Sequence, residues 1–197
     1  MTLNPPVIPR YTMDWYLLSH INHHIDMMIN RYSCLCALRF DLCYRRDSYR
    51  YKNSTPRSLE YEVRVLMAEM EKLSAVVGYF CVMEWTEDHG FHVHAVLWLD
   101  GHITQKPFFY AEKASAVWLD MTQGEGYLYR CEEKDCYVAD ISIPVKYNDA
   151  KSIKNIRYIL SYLAKVEQKE GLCWHYCSEV PERPSAGRHR RPAASSG

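Results

Sequence analysis

Two apolar runs separated by a short polar turn constrain the fold of this chain more than any other feature. Val76–Trp85 and Phe91–Leu99 have the length and the β-branched and aromatic content of buried strands. Between them lies Thr86–Gly90, a polar TEDHG segment that ends in glycine. Strands joined by so short a Gly-containing turn pair as an antiparallel hairpin.

This hairpin predicts a cluster of metal-binding side chains. Alternate residues of a strand share a face, so His92 and His94 point to the same side. A hairpin centred on Asp88 sets Glu84 directly opposite His92, on that face. A carboxylate and two imidazoles with open coordination positions suit Mg²⁺ or Mn²⁺ holding a phosphate, rather than a closed structural zinc. A shifted register would put Glu87 or Asp88 in the place of Glu84.

A second group of chemically interesting residues lies in a predicted helix, Asn155–Lys169. Apolar residues recur there every three or four positions, as in a core-facing helix, at Ile156, Ile159, Leu160, Leu163 and Val166. At about 100° per residue, Tyr158, Tyr162 and Lys165 fall within about 60° of one another beside that stripe. An ammonium group and a metal-polarised phosphate would make a phenol an effective nucleophile. The alternative is that both tyrosines only cover the core edge.

Charge is balanced overall, with 24 basic and 24 acidic residues, so nucleic-acid binding would require a local cluster. One such cluster occurs in Tyr44–Arg57. Its basic residues are Arg45, Arg46, Arg50, Lys52 and Arg57, and they alternate with Tyr44, Tyr49 and Tyr51. Cations for phosphates and rings for bases suit a single-strand channel, although a solvated loop is an equal alternative.

The remaining pattern completes an α+β prediction. Further helices are predicted over Asp14 to about Asn30, Ser58–Leu73 and Tyr110–Met121, and further strands over Ser33–Leu42 and Tyr137–Val145. Thr55 or Ser58 could cap the second of these helices, but without the Glu or Gln of a full capping box. His20, His23 and His24 are interpreted as solvated. We expect residues 1–30 to form a helical extension, 31–180 the catalytic domain, and 181–197 a disordered basic tail.

The first ten residues lack the features of a signal peptide, and no apolar run is long enough to cross a membrane. We therefore expect a cytoplasmic protein without a membrane partner. Its eight cysteines are then expected to be reduced thiols. The pairs Cys131/Cys136 and Cys173/Cys177 leave a loosely spaced four-thiolate zinc site as the alternative.

The combined motifs resemble those of the HUH endonucleases. That superfamily carries His-hydrophobic-His on a central strand, here His92-Val93-His94, and a tyrosine helix downstream, here Tyr158 to Lys165. The Glu84 to His94 spacing is similar to that of rolling-circle replication initiators. Chain order and the two-tyrosine helix are most similar to the filamentous-phage (inovirus) and YagK/YfjJ-like group. Ser161 departs from the pattern, because many two-tyrosine initiators have lysine there.

The resemblance implies a ferredoxin-like or RRM-like antiparallel sheet flanked by helices, whose first strand, Ser33–Leu42, carries no catalytic side chains. It also implies a divalent cation, Mg²⁺ or Mn²⁺, and nicking of single-stranded or supercoiled origin DNA. Tyr162 is the preferred nucleophile because Lys165 follows it by three residues, and Tyr158 would serve a second transesterification. No phosphate-binding loop of an ATPase is present, so a host helicase and polymerase would be partners. A transposase or relaxase, or a non-catalytic DNA-binding regulator, are the alternatives.

Overall fold

The computed structural model describes residues 6–131, 138–169 and 171–185. Its helices are α1 (Trp15–Arg31), α2 (Tyr49–Asn53), α3 (Pro56–Glu71), α4 (Pro107–Met121) and α5 (Ala150–Leu160), the last continued by a 3-10 turn over Ser161–Ala164. Its strands are β1 (Cys34–Tyr44), β2 (Val76–Thr86), β3 (Gly90–Asp100), β4 (Gly126–Arg130), β5 (Val145–Lys146) and β6 (His175–Cys177).

These strands form one antiparallel sheet in the order β4-β1-β3-β2-β6, with β5 pairing with one end of β1. The predicted hairpin of β2 and β3 is confirmed, and Gly90 at the turn has the positive φ of 62° that glycine adopts without strain. The order of β1, α3, β2, β3, α4 and β4 is a βαββαβ unit. The fold is therefore α+β and compatible with a ferredoxin-like arrangement.

Both faces of the sheet are covered by helices. On one face, α3 and α4 bury alternate strand residues together with Leu66, Met67 and Trp118. On the other, α1 and α5 pack through Ile21, Ile25, Met28, Ile156 and Leu160 onto strand residues such as Phe80 and Trp98. This second face also carries Glu84, His92 and His94. The candidate site therefore lies on the same side of the sheet as α1 and α5.

Helix boundaries follow local capping. The side chain of Asp14 accepts a hydrogen bond from Leu17 N at the start of α1. Thr55 caps α3, and Pro56 occupies the first turn. The prediction of an incomplete cap there was wrong, because Ser58 replaces the usual Glu or Gln. The Ser58 hydroxyl lies 2.9 Å from Thr55 N and reciprocates the Thr55 bond.

Two predicted elements were wrong in extent. The strand expected over Tyr137–Val145 is present only at its end, as the two-residue β5, while Tyr137 lies outside the described residues. The helix expected to continue to Lys169 ends at Leu160. Two short edge strands, β4 and β6, were not predicted at all, because three to five residues carry too little alternation to identify a strand.

Within the described ranges, no helix combines the length and apolar character required to cross a membrane. The tail expected to be disordered lies largely outside the described residues, which end at Ser185.

Candidate metal centre and tyrosine site

The β2–β3 hairpin gathers Glu84, His92 and His94 on one face of the sheet. Glu84 pairs directly with His92, as the turn predicted, whereas the alternatives Glu87 and Asp88 are exposed at the turn. The three side chains are 0%, 4% and 5% exposed. One donor atom from each lies within 4.8 Å of the others. This buried cluster could bind a metal ion, and no other trio of His, Cys, Asp or Glu in the described chain is gathered as closely.

Each histidine is oriented by a bond to its second ring nitrogen. Nδ1 of His92 lies 3.0 Å from the carbonyl of Gly90, and Nδ1 of His94 lies 2.5 Å from Asp41 Oδ1. A carbonyl oxygen accepts but cannot donate, so Nδ1 of His92 carries the proton. Such outer bonds are usual for metal-binding histidines, because they leave Nε2 with a lone pair for the ion.

Glu84 is a buried carboxylate with three cationic or titratable neighbours. Lys165 Nζ lies 2.9 Å from Oε2, Lys169 Nζ lies 2.8 Å from Oε1, and His94 Nε2 lies 3.1 Å from Oε2. Burial by itself would raise the pKa of Glu84, but the hydrogen bond and charge of His94, with the charges of Lys169 and Lys165, lower it to about 2. Glu84 is therefore ionised at neutral pH and available as an anionic ligand.

The phenol of Tyr162 borders this cluster. Lys165 Nζ donates a hydrogen bond to Tyr162 Oη at 2.6 Å, so one ammonium group touches both the phenol and Glu84. The ring of His94 meets the Tyr162 ring edge to face at 5.4 Å between centroids. Arg39 places its guanidinium carbon 4.4 Å from the centre of the Tyr162 ring. Tyr162 is thus held between the metal-ligand candidates and two cations.

Tertiary contacts, rather than a helix, place Lys165 there. The α-helix ends at Leu160, and Lys165 is extended and forms a β-bridge with Met13. Asp14 N donates to Ala164 O and Val166 N donates to Thr12 O, each at 2.8 Å. These two hydrogen bonds to the segment before α1 hold residues 164–166 in a non-helical conformation. For the same reason Val166, expected in the core, is 47% exposed.

Tyr158 is not brought to the cluster in the same way. It lies within α5 and is half-buried, and its carbonyl accepts from the Ser161 hydroxyl at 2.7 Å. Among the described contacts, none joins the Tyr158 side chain to Glu84, His92 or His94. Its expected role in a second step stays a prediction.

The basic segment is divided between a partly buried cation that supports the fold and cations at the surface. Arg50 forms an ion pair with Glu62 and donates from Nε and Nη2 to the carbonyls of Thr122 and Met121 at 3.2 Å each. Tyr44, expected to offer a ring to bases, is 2% exposed and donates its hydroxyl to Glu62. These two side chains anchor α3 and α4 instead of lining a channel.

The other cations of this segment stay at the surface. Arg45, Arg46, Lys52 and Arg57 are exposed. Arg46 lies 4.0 Å from Asp88, and the Tyr51 hydroxyl donates to Glu87 O at 2.6 Å. Both contacts place the segment beside the β2–β3 turn, the end of the hairpin that is nearer to Glu84 and His92.

Three residues of the site were not predicted from the sequence: Arg39, Asp41 and Lys169. Arg39 and Asp41 do interrupt an apolar strand at alternate positions, a signal that two polar side chains share a face. The strand that the resemblance described as free of catalytic side chains thus contributes two side chains to this site. Lys169 had no sequence signal, because a tertiary turn after Ala164 brings it to Glu84.

Two further predictions concerned the histidines of α1 and a four-thiolate zinc site. His24 is 2% exposed, so the expectation of a solvated ring was wrong for this residue. Cys131, Cys173 and Cys177 are free thiols, and Cys136 lies outside the described residues. The four-thiolate alternative therefore gains no support from the described residues.

Comparison of the chain with protein-family models, with curated proteins and with solved structures gives no match.

Proposed function

We propose that this chain is a metal-dependent endonuclease of the HUH type, which nicks and rejoins single-stranded DNA through Tyr162 to initiate rolling-circle replication of a phage or prophage. The contact of Lys165 Nζ with both Tyr162 Oη and Glu84 Oε2, at 2.6 and 2.9 Å, carries the proposal. It joins the candidate nucleophile and a candidate metal ligand in one site. The α+β architecture and its antiparallel sheet support the same assignment.

Glu84, His92 and His94 would hold Mg²⁺ or Mn²⁺. The donor set fits such an ion, since it combines one carboxylate and two imidazoles whose donor atoms are already close together. When bound, the ion would polarise the scissile phosphate and offset its charge. Asp41 and the Gly90 carbonyl would keep the two imidazoles aimed at it.

Tyr162 would act as the nucleophile. Its phenolic oxygen bonds to phosphorus while the bond from phosphorus to the 3′ oxygen breaks, so the 5′ phosphate stays on the tyrosine. The departing 3′ oxygen takes up a proton and becomes a free 3′-hydroxyl for a host polymerase. Lys165 Nζ, hydrogen-bonded to Tyr162 Oη, stabilises the negative charge that forms as the phenol loses its proton. The reverse reaction rejoins the strand.

A covalent adduct tests the proposal directly. Purified protein is incubated with Mn²⁺ and single-stranded DNA that tiles both strands of its replicon, and a denaturant-stable protein–DNA species is sought. We expect it in the wild type and in Tyr158→Phe, but not in Tyr162→Phe. Tyr61→Phe, on the exposed side of α3, is the matched control. An adduct in the Tyr158→Phe/Tyr162→Phe double variant, or none with the wild type, contradicts the assignment.

The metal ligands are tested by His92→Ala and His94→Ala. Each variant is expected to lose adduct formation while retaining DNA binding, because the imidazoles would act on the phosphate and not on the bases. His102→Ala, an exposed histidine on the loop after β3, is the control. Unfolding of both variants, seen by circular dichroism, would instead assign the histidines a structural role.

A further inference from the structure

Arg39 lies on the face of the sheet that carries the histidine cluster. It stands on β1 two residues before Asp41, and Asp41 is paired with and bonded to His94. Side chains two apart on a strand share a face, so Arg39 and Asp41 point to the same side. The guanidinium carbon of Arg39 lies 4.4 Å from the centre of the Tyr162 ring. Arg39 therefore borders the proposed nucleophile.

Among the described residues, Arg39 has one side-chain donor without a protein partner. Its Nε is buried and has no hydrogen-bond partner among the described residues. Within the same ranges, no carboxylate forms an ion pair with its guanidinium. Stacking on Tyr162 occupies the face of the guanidinium, whereas hydrogen bonds use its edge. A buried N–H without an acceptor is unfavourable, and an oxyanion entering the site would relieve that cost.

The guanidinium group of Arg39 favours a phosphate as the anion that binds beside Tyr162. Guanidinium groups bind phosphate through two parallel N–H bonds, a geometry that an ammonium group cannot offer. Lys165, the other cation on Tyr162, is already bonded to the phenol and to Glu84. Of these two cations, Arg39 is the one whose Nε has no partner among the described residues, and its guanidinium carbon lies 4.4 Å from the centre of the Tyr162 ring.

We propose that Arg39 is a catalytic residue that binds a phosphate of single-stranded DNA next to Tyr162. This inference rests on the proposed function. In it, Arg39 holds non-bridging oxygens of the substrate while Lys165 holds the phenol, so that the phosphorus is aligned with Tyr162 Oη. Such a bond strengthens as charge builds on the phosphate oxygens, and it acts on the rate as well as on binding.

Arg39→Gln and Arg39→Lys test the inference, each in the wild-type and the Tyr162→Phe background. In the Tyr162→Phe background, where the ring is kept and cleavage is prevented, the affinity for a labelled single-stranded oligonucleotide is measured against salt. Arg39→Gln should flatten the slope of log affinity against log salt by about 0.7, the value for one phosphate contact. In the wild-type background it should slow adduct formation at saturating DNA about 100-fold.

Arg39→Lys separates the charge from the guanidinium fork. It should restore the salt slope but leave adduct formation slow, because an ammonium group lacks the paired donors. Arg31→Gln is the matched control, since Arg31 also has a buried Nε without a partner among the described residues and stacks on a ring, that of Tyr32, with 4.8 Å to the centroid. It should change neither measurement. Mn²⁺ affinity, measured by electron paramagnetic resonance, should be unchanged in all three variants.

The outcomes distinguish this inference from the proposed function. A wild-type slope and a wild-type rate in Arg39→Gln overturn the role of Arg39, while nicking through Tyr162 stands. A flattened slope without any adduct from the wild-type protein supports the phosphate contact and contradicts the nicking. If Arg39→Gln does not fold, Arg39→Lys decides: a slow rate with normal Mn²⁺ affinity supports the inference, and a wild-type rate overturns it.

Discussion

Asp41 and His94 lie directly opposite each other on β1 and β3, and Asp41 Oδ1 is 2.5 Å from His94 Nδ1. Burial would raise the pKa of Asp41, but the hydrogen bond and charge of His94, together with the charge of Arg39, lower it overall. The Asp41 carboxylate is therefore ionised where it contacts the His94 ring. It fixes the ring so that Nε2 is directed away from β1 and towards Glu84, 3.1 Å from its Oε2.

Replacing Asp41 is expected to weaken metal binding without removing a ligand. Asp41→Ala should lower the affinity for Mn²⁺ about 10- to 100-fold, because the orienting bond is lost. Asp41→Asn should lose less, since the amide oxygen still accepts from Nδ1. Calorimetric titration with Mn²⁺ measures both, and Asp26→Asn on the exposed side of α1 is the control. Equal affinity in Asp41→Ala and the wild type would show that His94 needs no such support.

Lys169 and a metal ion compete for the same carboxylate. Lys169 Nζ bonds Glu84 Oε1 at 2.8 Å, and this charged hydrogen bond must be weakened when Glu84 binds an ion. Lys169→Met should therefore tighten Mn²⁺ binding by roughly tenfold, equivalent to about 1.4 kcal/mol. Lys154→Met, an exposed residue of α5, controls for the change of charge. Weaker binding in Lys169→Met would instead mean that the lysine holds Glu84 in position.

His24 should make the fold sensitive to acid. Burial, and secondarily the charge of His23, lower the pKa of His24 from 6.5 to about 4. The folded protein therefore favours the neutral ring. The stability this contributes is complete above about pH 6.5 and is lost as the pH falls towards 4, by about 3 kcal/mol in all.

Urea unfolding at several pH values measures this effect. Other groups titrate in the same range, among them His92, whose pKa burial and the charge of His94 lower to about 4. The comparison is therefore between the wild type and His24→Leu, which keeps the apolar contact with Phe80. The loss between pH 6.5 and 4 should be smaller in His24→Leu. His23→Leu, at an exposed position, should behave as the wild type, and identical curves for all three proteins would refute the assignment.

The basic segment should separate into residues that bind DNA and one that supports the fold. Arg45→Gln/Arg46→Gln should flatten the salt dependence of single-strand binding by about 1.4 and leave unfolding unchanged. Arg50→Gln should destabilise the protein by about 2 kcal/mol, because Glu62 loses its ion-pair partner. Filter binding and urea unfolding measure the two effects. A salt slope that is unchanged in the double variant would place the DNA elsewhere on the molecule.

Local pattern was sufficient for much of the fold. The hairpin register followed from turn length and from the two-residue period of strands, so the pairing of Glu84 with His92 was correct. The N-terminal helix followed from the helical spacing of its apolar residues. Such features depend on residues close in sequence, which is why they were predictable.

The other half of the site depends on contacts between distant segments. Helical spacing placed Tyr162 and Lys165 on one face of a helix, and they do lie together, but through a 3-10 turn and an extended Lys165. The bridge from Met13 to Lys165 joins residues far apart in sequence, so no periodicity could show it.

The sequence by itself determined that His92 and His94 share a face of their strand, and it favoured the register that adds Glu84 to that face. Only the tertiary structure decided what surrounds them. Pairing of β1 with β3 brings Asp41 to His94, and the turn after Ala164 brings Lys169 to Glu84. The physical reason is that a buried charge such as Glu84 is stable only beside hydrogen-bonding or oppositely charged groups. Here those groups come from segments that are distant in sequence and adjacent only in the folded chain.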